Sequence, residues 1–201
     1  ISIEDGIADV RLVRADKMNA FDDAMFSAVV EAGKRLTTET GLRAVVLSGD
    51  GKVFSAGLDF GKFGNMAGGS ENGDFVLKSP RDARGANHGQ QVATVWRDIP
   101  VPVIAAVHGV AFGAGFQLAL GPDIRFATPD ARFSCFEINW GLIPDMGAFP
   151  LLKILCRDDV ARDLVFSGRQ VSGEEAQRIG LVTRLCEDPR AEAMAYAKEI
   201  A

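Results

Sequence analysis

The first thirteen positions, "ISIEDGIADVRLV", alternate apolar and polar residues around Asp5 and Gly6. Alternation puts every second side chain on one face, and Asp-Gly suits a tight hairpin turn, so the stretch predicts two strands. A polar loop, "DKMNA" at 16–20, follows. From Asp22 to Leu36 the period lengthens, and Phe26, Val29, Val30 and Gly33 share one face of a helix. "RAVVLSG" at 43–49 reads as a short buried strand ending in a glycine turn, with "VFSAGLDF" at 53–60 after it. Residues 61–90 are polar and glycine-rich around "GGSENGD" and read as a mobile loop or lid.

Residues 91–97 end a helix. "PVPVIAAVHG" at 100–109 is a β-branched buried strand led by prolines at its edge, and "FGAGFQLAL" at 112–120 is a helix opening directly after a glycine turn. "DIRFAT" at 123–128 and "RFSCFEI" at 132–138 read as strands, and helices dominate the remainder. Ser172 and Glu175 have capping-box spacing for a short helix, and Asp188-Pro189 starts another. That last helix is still running at Ala201, so the chain is expected to stop short of its natural end. Strands alternating with helices give an α/β architecture, read as one core domain over 1–201. No period of 20–50 residues repeats, which argues against a solenoid.

Composition narrows the function. The net charge of −5, with no basic run, argues against nucleic-acid and anionic-membrane partners. No apolar stretch reaches the length of a membrane span. Cys135, Cys156 and Cys186 form no CxxC pair, so no metal site is expected; three thiols fit a reducing compartment, and a cytoplasmic location. With two histidines, His88 and His108, there is little for a Ser-His-Asp arrangement. A Walker motif is absent and "GVAFGAG" lacks dinucleotide-binding spacing, which disfavours nucleotide chemistry. Glycine, at 22 of 201 residues, exceeds the usual ~7% and points to tight backbone passages.

Two of those passages share a design. "FSAGL" and "FGAGF" each carry a strand through a glycine turn towards a helix. Such turns leave backbone N–H groups pointing outward, and two converging turns make an oxyanion hole; alternatively the small residues only let strand and helix pack closely. Further on, "RFSCFEINWGLIPDMG" at 132–147 sets Glu137 and Asp145 in an apolar stretch. A charged carboxylate is costly to bury, so either these acids face water or the site uses them.

"VFSAGLDF", "AAVHGVAFGAGFQLAL" and "DIRFATPDARFSCFEINWGLIPDMG", together with "DKMNAF", resemble the crotonase, or enoyl-CoA hydratase/isomerase, superfamily. The resemblance spans nearly the whole chain. It implies a spiral of ββα units with two roughly perpendicular sheets flanked by helices, and homotrimers or dimers of trimers. It implies an acyl-CoA thioester substrate, CoA being part of that substrate, and no separate cofactor. Members normally carry C-terminal helices that cover the acyl pocket and serve assembly.

The resemblance also assigns residues. The backbone N–H groups of Leu58 and Ala114 would form the oxyanion hole, with Gly57, Gly113 and Gly115 permitting the conformation. Ala20, Ala56 and Asp59 would line the substrate site, Asp59 by fixing its turn. Lys17 would either meet a CoA phosphate or remain a solvated loop lysine. Family hydratases place acids at the positions of Gln117 and Glu137. Gln117 cannot transfer a proton, though it can orient water or substrate. With Glu137 as the acid, a double-bond shift is easier than hydration. The offset from Glu137 to Asp145 matches the carboxylate pair of dienoyl-CoA isomerases, which also use an acid at the Gln117 position; Asp145 is otherwise a helix N-cap. Glu137 reads otherwise as a surface-facing strand residue, and Trp140 as core. The expected function is enoyl-CoA isomerisation ahead of hydration. Alternatives are a weakly catalytic acyl-CoA-binding member and another reaction of the fold, such as thioester hydrolysis or decarboxylation.

Overall fold

Asp5 and Gly6 both take positive φ, 51° and 79°, as a two-residue hairpin turn requires. In the computed structural model, which describes residues 1–59, 61 and 79–201, that turn joins β1 (Ser2–Glu4) antiparallel to β2 (Ile7–Leu12), with Ile3 opposite Ala8. From β2 onward the pairing is parallel. β3 (Ala44–Gly49), β4 (Val103–Val107), β6 (Ile124–Ala127) and β9 (Arg184–Leu185) add in turn to complete a six-stranded sheet. A second sheet contains β5 (Val110–Phe112), β7 (Arg132–Ser134) and β8 (Val171–Ser172).

Every residue of β3 and β4 is buried. This explains their unbroken apolar runs, because a parallel sheet is covered on both faces. One face carries Ile7, Val46, Ile104 and Phe126 against Ala193 and Ala197 of α7 (Pro189–Ile200). The other face joins the main core with Val29, Val30 and Leu36 of α1 (Asp23–Thr37) and with Trp96.

The chain repeats one move. It enters the large sheet as β4, crosses to the small sheet as β5, and turns into α3 (Ala114–Leu120). It returns as β6, crosses as β7 and goes on to α4 (Ala148–Leu155) and α5 (Asp158–Ser167). The stretch after β3 reaches the small sheet through the isolated bridge of Ser55 to Ala111, and α2 (His88–Thr94) is the helix that precedes β4. These are the expected ββα units, and each crossing delivers backbone to the junction of the two sheets.

Several boundaries differ from the sequence reading. α2 starts inside the glycine-rich stretch, where Asn87 and Gln90 form a reciprocal capping box. Residues 60 and 62–78, which held most of the expected lid, lie outside the described residues. The expected strand over 132–138 ends at Ser134, and 136–140 form a 3₁₀ turn that closes on Gly141 in the left-handed region. The alternation persists past the strand because Phe136 stacks on Phe112, with centroids 5.4 Å apart and planes 12° apart. The box at α6 (Gly173–Arg178) is half formed: Ser172 accepts from the Glu175 N–H, while the Glu175 carboxylate pairs with Arg169. Asp188 caps α7 through the Ala191 N–H as expected. Among the described residues no helix is long and apolar enough to cross a membrane.

Candidate active site

The first glycine turn is held from outside. Phe21 N–H donates to the Gly57 carbonyl at 2.7 Å, and Asp59 N–H donates to the Phe21 carbonyl at 2.9 Å. A parallel bridge made this way uses the groups flanking Leu58, so the N–H of Leu58 faces the opposite side. Gly57 sits at φ 96°, and a methyl built on it would lie 2.7 Å from the Phe112 carbonyl oxygen and 3.7 Å from Ala114 N. Only glycine allows this approach, and it brings the first turn against the second.

The second turn has a matching logic. Gly113 takes φ 50° and ψ −117°, a region that residues with a Cβ avoid. Its N–H is taken by the Ser134 carbonyl of β7 at 3.0 Å. The next N–H, that of Ala114, opens α3 and has no carbonyl four residues back to bond. Gly115 seats α3 directly on Ser55. Close packing thus explains Gly115, while Gly57 and Gly113 take positive φ values that a residue with a Cβ avoids.

Leu58 and Ala114 line one cavity of about 130 Å³ with Ala56, Phe112, Phe136, Glu137, Trp140 and Leu142. Among the described residues that line it, Glu137 supplies the only ionisable side chain. A methyl built on Gly113 would come within 3.4 Å of Glu137 Oε1, so acid and second turn are neighbours. The acid projects from the 3₁₀ turn, not from a strand, and is half-buried. Burial pushes its carboxyl above the ordinary value; the Gln117 hydrogen bond opposes this, and the Asp145 charge adds a little.

Gln117 is 1% exposed and outside the cavity lining. Its Oε1 accepts from Ala148 N at 3.2 Å, the first N–H of α4, which fixes the amide so that Nε2 points at Glu137. Nε2 then donates to Glu137 Oε1 at 2.8 Å. Among the described residues the other oxygen, Oε2, is buried with no hydrogen-bond partner. The glutamine thus orients the acid, where the sequence reading had it orienting water or substrate.

Asp145 takes a different place. It lines an adjoining groove with Arg97, Ile143 and Phe149. Consecutive residues line the two, Leu142 the cavity and Ile143 the groove. Asp145 does not cap α4, whose N-cap is Gly147. Burial pushes its carboxyl above the ordinary value. Lys17 is exposed on a 3₁₀ turn and Ala20 is buried, and neither belongs to the cavity lining. Trp140 is not core: it is 50% exposed on the cavity rim. Its place in the 3₁₀ turn sends it outward while Phe136 packs in.

Sequence reasoning passed over the residues that hold the first turn. Asn19 is fully buried in the left-handed region, and its amide donates to the carbonyls of Asp50, Val53 and Phe54. Ser55 Oγ donates to the Asn19 carbonyl at 2.9 Å. The signal was an asparagine beside a short turn, since Asn tolerates positive φ and carries both donor and acceptor.

A family model described as enoyl-CoA hydratase/isomerase matches residues 2–201. The mouse mitochondrial Delta(3,5)-Delta(2,4)-dienoyl-CoA isomerase is 33% identical over 190 residues, 93% of this chain and 58% of that protein. A Bacillus subtilis protein named "Probable enoyl-CoA hydratase" is 33% identical over 183 residues, 91% of this chain and 67% of its own length. The solved enoyl-CoA hydratase of Mycobacterium smegmatis superposes with a TM-score of 0.82 at 32% identity, over 98% of this chain and 73% of that one. The chain thus spans between about half and three quarters of the proteins it resembles.

Proposed function

The chain belongs to the enoyl-CoA hydratase/isomerase family, and on that premise we propose that it shifts a carbon–carbon double bond in an enoyl-CoA thioester, with Glu137 carrying the proton. The observation that carries the reading is that, among the described residues, Glu137 is the one acid lining the cavity, while a glutamine occupies the neighbouring position and is spent on holding it.

The thioester oxygen sits between the N–H groups of Leu58 and Ala114. Ionised Glu137 removes a proton from the α-carbon of a 3-enoyl thioester, and the electrons move onto the thioester oxygen. The two N–H groups stabilise that charge without reorganising; removal of one such donor costs about 3–4 kcal/mol in other oxyanion holes. The double bond re-forms between the α- and β-carbons as the γ-carbon takes the proton back from Glu137. One carboxylate suffices, because the proton leaves and returns on the same oxygen.

The desolvation of Glu137 supports this role. An upward-shifted carboxyl holds a proton more readily than an exposed acid does and still ionises, as a group that must accept and return one needs. Oε2 is the free oxygen for that transfer, Oε1 being engaged. Hydration would need a second group to activate water, and Gln117 cannot act as one.

A second reading makes Asp145 a partner for Glu137 on a conjugated dienoyl chain. Its support is the Asp145 charge felt at Glu137, the groove whose Ile143 follows the cavity's Leu142 in the chain, and the dienoyl-CoA isomerase named among the relatives. Paired single variants separate the two. Glu137→Gln abolishes both reactions. Asp145→Asn leaves 3-enoyl-CoA isomerisation within about threefold of wild type under the first reading and removes dienoyl isomerisation under the second. A Glu137→Gln variant as active as wild type on both substrates would overturn the proposal.

A further inference from the structure

We propose that Arg14 is a positioning residue for the first oxyanion donor, through a guanidinium that ties the far end of the Leu58 turn to the start of α1. The inference rests on the oxyanion-hole reading above and concerns a residue outside the cavity.

Arg14 Nη2 lies 2.7 Å from Asp59 Oδ2 and 3.3 Å from Asp22 Oδ2, and Nη1 donates to the Ala20 carbonyl at 2.9 Å. Its backbone N–H donates to Asn19 Oδ1 at 2.9 Å. These contacts bind the two segments that sandwich Leu58. Asp59 is the next residue after the donor, and Asp22 follows Phe21, whose backbone bridges Leu58. Asp22 is also the N-cap of α1, accepting from Met25 N at 2.9 Å, so the guanidinium anchors the turn to a helix of fifteen residues.

Without Arg14, the Asp22 and Asp59 carboxylates would lose the guanidinium that both of them pair with. Phe21 and Asp59 would separate, and the Leu58 N–H would swing with them. Electrostatics agree with an engaged pair: the hydrogen bond to Arg14 holds the Asp59 carboxyl below its ordinary value, and the same bond raises Arg14. A lysine cannot replace the group, because a point charge does not span two carboxylates and a carbonyl at once.

The test separates positioning from mere stability by reading the oxyanion hole directly. Acetoacetyl-CoA is titrated into the protein, and the near-ultraviolet band of its bound enolate is recorded alongside calorimetric binding of butyryl-CoA. The variants are Arg14→Met, Arg14→Lys, Asp59→Asn and the Arg14→Met/Asp59→Asn double variant, all studied below their unfolding transitions. Wild type is expected to show the enolate band. Arg14→Met should lower the enolate fraction and kcat about 10- to 100-fold, as a donor displaced by about 1 Å would, with the butyryl-CoA Kd and KM within about threefold. Arg14→Lys, the variant to read if Arg14→Met fails to fold, should recover only part of the loss. Asp59→Asn and the double variant should match Arg14→Met, since the pair acts as one unit. An enolate band as strong in the folded variants as in wild type would sink the role of Arg14 alone. No band in wild type, with butyryl-CoA bound, would sink the oxyanion reading and this inference with it.

Discussion

Replacing Gln117 with leucine removes two contacts at once and leaves the cavity lining unchanged. The Nε2 bond to Glu137 Oε1, 2.8 Å long, is charge-assisted whenever Glu137 is ionised. Such bonds contribute about 1.5–3 kcal/mol. They favour the ionised acid over the protonated one, so their loss moves the Glu137 carboxyl further upward, in the direction burial already drives it. At about 1.4 kcal/mol per factor of ten, the variant should lose roughly 10- to 100-fold in rate on the acidic side of its profile. The deficit should narrow as pH rises, because Glu137 ionises eventually in both proteins. The second lost contact leaves Ala148 N without its acceptor at the start of α4, worth about 1 kcal/mol of stability and independent of Glu137's charge. The assay is the pH dependence of conjugated 2-enoyl-CoA formation from 3-enoyl-CoA, with urea unfolding run in parallel. An equal loss at every pH would show that Gln117 does not tune Glu137, and no loss would remove it from the mechanism.

Three further outcomes follow from the same geometry. Gly113→Ala forces a side chain into φ 50°, ψ −117°, against Glu137 Oε1; it should cost about 1–3 kcal/mol in urea unfolding and at least 100-fold in kcat, and a near-normal kcat would refute the placement of the second donor. Arg125 is almost wholly buried and donates to the carbonyls of Leu181, Pro122 and Asp123, and burial pushes its guanidinium down to about 10; Arg125→Met strands those carbonyls and should destabilise by about 3–5 kcal/mol in the urea midpoint, against a loss below 1 if water replaces the bonds. Glu137→Gln should unfold at higher temperature than wild type at neutral pH. The raised folded value means that wild type has full stability below the ordinary carboxylate range and loses some as pH climbs through the raised value. The gap should therefore close on acidification; a gap that widens would reverse the sign assigned to burial.

Much of this site is local in sequence and could be read there. "SAG" and "GAG" mark the two turns because glycine alone reaches the required φ, and the apolar runs of β3 and β4 mark a parallel sheet covered on both faces. The hairpin at Asp5-Gly6 and the cap at Asp188 are equally local signals. What escaped the sequence depends on distant partners. Glu137 and Gln117 are twenty residues apart, and only the crossing from β7 into the 3₁₀ turn brings them to 2.8 Å. The strand over-read at 135–138 has a tertiary cause, since stacking of Phe136 on Phe112 continues the buried pattern after the ladder ends. Trp140 was misplaced for the reverse reason, an aromatic residue set outward on the rim. Arg14 carries no local signal in the sequence, because its contacts depend on Asp22 and Asp59 coming together around it.

The central claim is that a single carboxylate, Glu137, moves a proton along an enoyl chain. The most direct measurement is turnover of 3-enoyl-CoA and 2-enoyl-CoA in D2O by the full-length protein, with products and deuterium positions resolved by NMR. The account predicts 2-enoyl-CoA from the first substrate, deuterium confined to the α- and γ-carbons, and no 3-hydroxyacyl-CoA from the second. Rapid formation of 3-hydroxyacyl-CoA would contradict it, because water chemistry would then be running at a site where Gln117 offers no second acid.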